Sequence, residues 1–152
     1  MIKVLFICHG NICRSPMAEF VMKYLVHQKG RDNEFEIASC ATSREEIGND
    51  MHYGSKTKLL QVGIPYKPRK ARQLTAADYD NYDLLIAMDD ENLRYIRNIC
   101  GEDTAGKVHL LLEWGPGVIR SIADPWYTGN FDDTYDDILC GCTGLLDALP
   151  PS

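Results

Sequence analysis

The densest chemistry in the chain lies in Cys8, His9, Gly10, Asn11, Ile12, Cys13, Arg14 and Ser15, which follow the apolar run Val4-Leu5-Phe6-Ile7 and lead into Pro16. A thiol, a later arginine and turn-prone residues between them suit phosphate. Where a strand gives way to a helix the backbone turns sharply. Successive N–H groups then point into one concavity at the positive end of a helix dipole. Gly10 takes a positive φ without steric cost, and Asn11 tolerates it better than most residues. The planar fork of Arg14 can grip two phosphate oxygens at once. A free thiol titrates at about 8.5, and helix N-termini and nearby arginines bring that down to about 3.5–7.5. The field that holds phosphate would therefore also make Cys8 a thiolate nucleophile. Ser15 is placed to donate a hydrogen bond to that sulfur when it becomes the leaving group.

Each signal is weak alone. A cysteine closing a core strand is ordinarily a small buried hydrophobe, an isolated arginine is ordinarily a solvated charge, and C-x5-R recurs by chance. Their weight comes from strand, turn, arginine and proline-led helix falling in register.

Those residues need elements to hold them. Four segments read as buried strands: Ile2–Cys8, Glu34–Ser39, Tyr82–Met88 and Lys107–Leu111. The first and third are continuous apolar runs, as expected of strands covered on both faces of a parallel sheet. Glu34-Phe35-Glu36-Ile37 alternates, which places the second nearer an edge. Met17, Phe20, Val21, Tyr24 and Leu25 follow helical spacing, and Pro16 suits a first helical position because its missing N–H has no partner there. A second helix is expected from about Asp89, carrying Leu93, Ile96 and Ile99. A last one runs from about Asn130 with Phe131, Tyr135, Ile138, Leu139, Cys142, Leu145, Leu146 and Leu149 on one stripe. Gly141 and Gly144 inside it each cost about 1 kcal/mol relative to alanine. Pro65 to Lys70 reads as a basic loop, and Gly115-Pro116-Gly117 as a turn in a long connection. Alternating strands and helices predict one α/β domain over residues 1–152, a right-handed, doubly wound, Rossmann-like four-stranded parallel sheet with helices on both faces. Ligands bind such sheets at the carboxyl ends of the strands, where Cys8 sits.

At 152 residues the chain can support one core. A net charge of −6 argues against nucleic acid as a partner. Phosphate binding must then rest on a local positive potential. No secretory signal and no apolar run of the ~18–20 residues of a membrane span is visible. Six cysteines in a chain of this length do not suggest a disulfide scaffold. A reducing cytoplasm is the expected compartment.

CHGNICRSPMAE resembles the active-site loop of the low-molecular-weight protein tyrosine phosphatases. The likeness extends through ASCATS at 38–43, IGN at 47–49, ARQLT at 71–75, AMDDENL at 87–93 and DPWYTGNFDDTY at 124–135. It implies a metal-free, cofactor-free hydrolase acting on phosphotyrosine proteins or small aryl phosphates, working as a monomer or weak dimer. It also implies a phosphocysteine intermediate, with Cys8 as nucleophile, Arg14 as phosphate clamp and Asp124 as general acid, then base. Asp124-Pro125 alone would read as a plain turn. Trp126 and Tyr127 could wall an aromatic slot for a phenyl phosphate. Asn11 and Ser39 match positions that hold the loop by hydrogen bonds, with Ser15 beside them. Asp89 matches a pocket-rim residue, though a helix N-cap explains it equally well. Arg72 matches a structural arginine. Cys13 is close enough to Cys8 in the chain for the reversible disulfide that this family uses as protection; simple packing is the competing reading. No metal site is expected. Cys140-Gly-Cys142 and Cys8-x4-Cys13 lack companion ligands at zinc spacing, and His9, His27, His52 and His109 are scattered.

The chain departs from the family in three places. Glu45 stands where an aromatic pocket wall is common, and its carboxylate would repel acidic peptides. Arg69 stands where a histidine often precedes Ala-Arg-Gln. Ile12 stands where related arginine-phosphate phosphatases tend to carry threonine, and its apolar bulk favours a flat phenyl ring. The alternatives are a protein arginine phosphatase, a thiol-dependent arsenate reductase and, from another class, a phosphocarrier subunit of sugar transport. The reductase would need two more cysteines on a mobile segment, and YDLLIAMDDEN at 82–92 has none. A carrier would keep its phosphate, whereas Arg14 with Asp124 favours hydrolysis. A phosphotyrosine-binding pseudoenzyme is disfavoured by an intact Cys8, Arg14 and Asp124.

Overall fold

Val4, Leu5, Phe6 and Ile7 are all fully buried because the strand that carries them lies inside a sheet covered on both sides. In the computed structural model, which describes residues 1–151, that sheet is parallel, with strand order β2-β1-β3-β4. The strands are β1 (Ile2–Cys8), β2 (Phe35–Ala41), β3 (Leu84–Ala87) and β4 (Val108–Leu110). The helices are α1 (Arg14–Gln28), α2 (Tyr53–Gln61), α3 (Ala76–Asn81), α4 (Asp90–Cys100), α5 (Pro125–Thr128) and α6 (Phe131–Ala148).

The period-2 geometry of β1 divides the core. Val4, Phe6 and Cys8 face one apolar cluster with Met17, Phe20 and Val21 of α1 and Ile138, Cys142 and Leu145 of α6. Leu5 and Ile7 face the other with Leu85, Ala87, Leu74 and Ile96. An uninterrupted apolar run is what such a strand requires. The second strand is indeed at an edge, with Glu36 exposed.

The structure corrects several boundaries. The second strand is shifted to Phe35–Ala41, because Asp32–Glu34 forms a 3-10 turn. The third is shorter than the expected Tyr82–Met88, since Tyr82 ends α3 and Asp83 bonds through its N–H to the Lys3 carbonyl at 2.8 Å. The fourth stops at Leu110, where Leu111–Trp114 turns into a 3-10 segment tied by Glu113 Oε2 accepting from the Leu110 N–H at 2.7 Å. Pro16 occupies the third helical position, because α1 already begins at Arg14, so the phosphate-loop arginine is itself helical. Asp89 and Asn130 are N-caps rather than first residues.

Helix α6 runs unbroken through its two glycines. Both face the 3-10 segment: a Cβ at Gly141 would strike Leu111, and one at Gly144 would overlap the Trp114 carbonyl. The glycines let that segment pack directly on the helix backbone. Three helices went unforeseen. α2 buries only Ser55 and Leu59, α3 spans six residues and α5 four. None offers a sustained apolar stripe. Among the described residues no helix is long and apolar enough to cross a membrane.

Candidate active site

The turn after β1 wraps around the sulfur of Cys8. Asn11 adopts φ 58°, the only non-glycine positive φ among the described residues. The carbonyls of the turn point outward: Cys8 O accepts from Thr42 N at 2.9 Å, His9 O from Ser43 N at 3.0 Å, Ile12 O from His52 N at 2.7 Å and Cys13 O from Ser55 Oγ at 3.1 Å. The opposite edge of the backbone therefore faces the concavity. Asn11 N lies 3.3 Å and Ser15 N 3.4 Å from Cys8 Sγ, and Ser15 Oγ is 3.0 Å away. Two backbone N–H groups and one hydroxyl thus converge on the sulfur. The N–H groups of Asn11 and Ser15 face the same concavity as the sulfur.

Arg14 closes the concavity from the first turn of α1 while only 2% exposed. Its Nη1 donates to Asp89 Oδ2 at 2.7 Å and to the Ile122 carbonyl at 2.9 Å, and its Nη2 lies 3.5 Å from Asp124 Oδ2. Burial alone would weaken this cation, but Cys8, Asp124 and Asp89 outweigh it and hold the guanidinium above its ordinary pKa. Among the described residues its buried Nε–H has no hydrogen-bond partner. A satisfied fork with one edge left open has a donor available for an anion.

Cys8, His9, Gly10, Ile12, Cys13, Arg14, Glu45, Asp124, Trp126 and Tyr127 line one pocket of about 110 Å³, together with Glu46, which the sequence reading missed. Asn11, Ser15 and Ser39 stand behind it. Asn11 Nδ2 donates to Ser15 Oγ at 2.8 Å and to Ser39 Oγ at 3.0 Å, and Ser39 donates to Glu19 Oε1 at 2.6 Å. Asp89 does not line the pocket. It caps α4, accepting from Asn92 N at 2.7 Å, and fixes Arg14 from behind, so rim residue is the wrong description of it.

Asp124 sits on a different kind of support. Its Oδ1 accepts from Trp126 N at 3.0 Å, capping α5, and its side chain is 22% exposed. The base of this loop is pinned where Ile122 N donates to Met88 O at 2.8 Å and Thr134 Oγ1 to Ala123 O at 3.2 Å. The tip is open, with Trp126 56% and Tyr127 82% exposed. Facing it, His9 Nε2 and Glu45 Oε2 pair at 2.8 Å. His52, which caps α2 with its own ring, stacks on Phe131 at 5.5 Å and meets the edge of Trp126 at 5.6 Å. The far end of the Phe131 ring in turn lies against Gly54, so closely that a Cβ there would overlap it.

Cys13 shares the pocket with Cys8, but burial first, and then the charges of Cys8 and Asp124, push its thiol up to about 12. It is a neutral thiol at physiological pH. All six cysteines are free. Among the described residues no group of three or more histidine, cysteine and carboxylate side chains is placed to hold a metal ion.

The model of one family, described as low molecular weight phosphotyrosine protein phosphatase, matches residues 3–151. The chain belongs to that family. Curated relatives of this phosphatase family include the low molecular weight protein-tyrosine-phosphatase YfkJ of Bacillus subtilis, 37% identical over 150 residues, covering 98% of this chain and 96% of the relative. The low molecular weight phosphotyrosine protein phosphatase of Schizosaccharomyces pombe is 41% identical over 138 residues, with 88% of each covered. The crystal structure of YfkJ superposes with a TM-score of 0.93, covering 97% of this chain and 94% of that one at 38% identity. The family fold also serves a drosophila arginine phosphatase, with a TM-score of 0.86, 28% identity and 97% coverage of both chains.

In this low molecular weight phosphatase, three supporting residues were not foreseen. Glu19 terminates the serine–asparagine chain, Glu46 narrows the pocket beside Gly10, and Ile122 lends its carbonyl to Arg14. Only Glu46 had a signal, as the neighbour of Glu45. A backbone carbonyl carries none.

Proposed function

We propose that this chain hydrolyses the phosphate ester of phosphotyrosine through a phosphocysteine intermediate. The carrying observation is the pairing of Cys8 Sγ, surrounded by donors, with the unpartnered Nε–H of Arg14 above the same cavity. Phosphate oxygens accept from the loop N–H groups and from the open edge of Arg14. The sulfur lone pair attacks phosphorus while the P–O bond to the phenol breaks, and protonated Asp124 gives the departing oxygen its proton. A water then attacks the phosphocysteine, Asp124 takes the water's proton, and the S–P bond returns its electrons to sulfur, steadied by the Ser15 hydroxyl. Splitting the displacement in two lets one site serve both halves. Positioning and preorganised donors supply the acceleration.

Ile12, Trp126 and Tyr127 are apolar or aromatic surfaces around the phosphate site, which suits a flat ring. Glu45 and Glu46 give the opposite wall negative charge. Peptides with basic residues beside the phosphotyrosine are therefore favoured over acidic ones. Turnover of para-nitrophenyl phosphate by wild type, Cys8→Ser and Asp124→Ala tests the reaction: Cys8→Ser activity comparable to wild type ends it. Release of phosphate from phosphotyrosine and phosphoarginine peptides tests the substrate, and faster phosphoarginine release reverses the assignment.

A further inference from the structure

The mouth of the phosphate pocket carries two carboxylates, Glu45 and Glu46, opposite the aromatic side chains of Trp126 and Tyr127. The two acids are held differently. Glu46 Oε2 accepts from Asn49 Nδ2 at 2.6 Å and its stem packs beside Gly10, so it is part of the wall. The Glu45 side chain is 69% exposed, and the one side-chain hydrogen bond it makes among the described residues is with His9 Nε2 at 2.8 Å. His9 also docks the segment that carries Glu45, because its carbonyl accepts from Ser43 N at 3.0 Å. An exposed glutamate is otherwise free to sample many rotamers, and two ties to one residue remove much of that freedom.

The imidazole does this without cancelling the charge it holds. A carboxylate only accepts, so Nε2 carries the proton that faces Glu45. The other ring nitrogen, Nδ1, is buried and has no partner among the described residues. A proton there would be a buried donor left unpaired, which assigns the lone pair to Nδ1. His9 is thus a neutral donor to a full anion. Asn49, the partner of Glu46, is neutral as well. Among the described residues neither glutamate forms an ion pair with a lysine or an arginine, so this side of the mouth keeps the charge of both.

We propose that His9 and Glu45 form a recognition pair for a cationic side chain next to the phosphotyrosine: Glu45 supplies the charge, and His9 is the residue that positions it. The inference rests on the phosphotyrosine reading above. It gives the His9 side chain a role apart from the phosphate-binding backbone of its loop. A cavity of about 110 Å³ takes up the phosphoryl end of the substrate, and the flanking residues must cross its rim. There, Glu45 Oε1 makes no hydrogen bond among the described residues and stays available for an ammonium. The Trp126 and Tyr127 rings across the mouth offer apolar surface for the aliphatic stem of the same residue.

The test is fluorescence anisotropy with wild type, His9→Leu, His9→Gln, Glu45→Gln and the double variant His9→Leu/Glu45→Gln. The probes are peptides bearing a non-hydrolysable difluorophosphonate analogue of phosphotyrosine, with lysine or norleucine on both sides. Norleucine keeps the stem and drops the ammonium. The ratio of the two affinities therefore isolates the charge and cancels general damage to the phosphate loop. Wild type prefers the lysine peptide by about two- to fivefold, the range of an exposed ion pair. His9→Leu and Glu45→Gln each remove at least half of that preference, and the double variant goes no lower, because His9 acts through Glu45. His9→Gln, a neutral donor of similar reach, keeps most of it. No binding of either peptide, a wild-type ratio near one, a His9→Leu ratio equal to wild type, or a His9→Leu effect that persists in full in the Glu45→Gln background overturns the proposal. The readout needs no turnover. Wild type that shows the lysine preference but leaves phosphotyrosine peptides intact would sink the hydrolase reading alone, and phosphotyrosine turnover with a ratio of one would sink this inference alone.

Discussion

The phosphate loop and the acid loop meet across one pocket but are built in opposite ways. Around Cys8 the carbonyls are tied outward, Arg14 and Asn11 are buried, and the Asn11 side chain bonds to four neighbours. Around Asp124 only the base is tied, and the tip presents Trp126 and Tyr127 to solvent. An anion common to every substrate calls for a rigid receptor. The leaving group varies from one substrate to the next, and the side that meets it can stay adaptable. Rigidity sits where the chemistry is constant.

Substitutions in the two loops should differ accordingly, and the largest effect belongs to the rigid side. Cys8→Ser is expected to abolish turnover while still binding phosphate analogues, as isothermal titration with vanadate or phosphate would show; a protein that also loses anion binding would mean the loop, not the nucleophile, had been damaged. Next comes Asp124→Ala, with kcat lower by about 10²–10³, within the range of general acid catalysis. Its deficit should shrink for leaving groups that depart without a proton, and an equal deficit for all esters would place the role of Asp124 elsewhere. Asn11→Ala leaves buried donors and acceptors unpaired and is expected to cost about 1–3 kcal/mol of stability in urea melts. Tyr127→Ala, on the exposed tip, should leave stability unchanged and raise KM only a few-fold. A large loss of stability there would erase the contrast.

The smallest effect concerns the strut behind the phosphate loop. The Arg72 carbonyl accepts from Ala41 N at 2.8 Å, and the Arg72 side chain holds Asp78 at 3.0 and 3.2 Å. Burial alone would raise the Asp78 carboxyl, but hydrogen bonds from Arg72 and Thr75 hold it below the usual carboxylate range. A depressed carboxylate contributes stability that is present above its unfolded value of about 3.9 and lost as pH falls through the lower folded value. Asp78→Asn should therefore flatten the acid end of the stability curve below about pH 4 and leave neutral turnover nearly untouched.

Sequence and structure agree best where the signal is local. The phosphate loop was legible because nucleophile, turn and arginine lie within eight residues and the segment that follows carries apolar residues at helical spacing. β1 and α6 were legible by length and periodicity. The short helices were not, since α2, α3 and α5 draw their order from neighbours, although Thr75 with Asp78 was a capping box in plain view. Asp124 was legible only through likeness, because an Asp-Pro pair does not announce what stands opposite it. Arg69 was visible as a departure from the family, yet its contact with Asn11 depends on a loop crossing that no spacing encodes.

Gly54 gives the two loops a common datum. Its bare backbone lets the Phe131 ring lie against the start of α2, beside His52, whose N–H holds the Ile12 carbonyl of the phosphate loop. Phe131 opens the helix directly behind the acid loop. A single methyl at position 54 would act as a shim between proton donor and sulfur, widening their separation without altering any group that reacts.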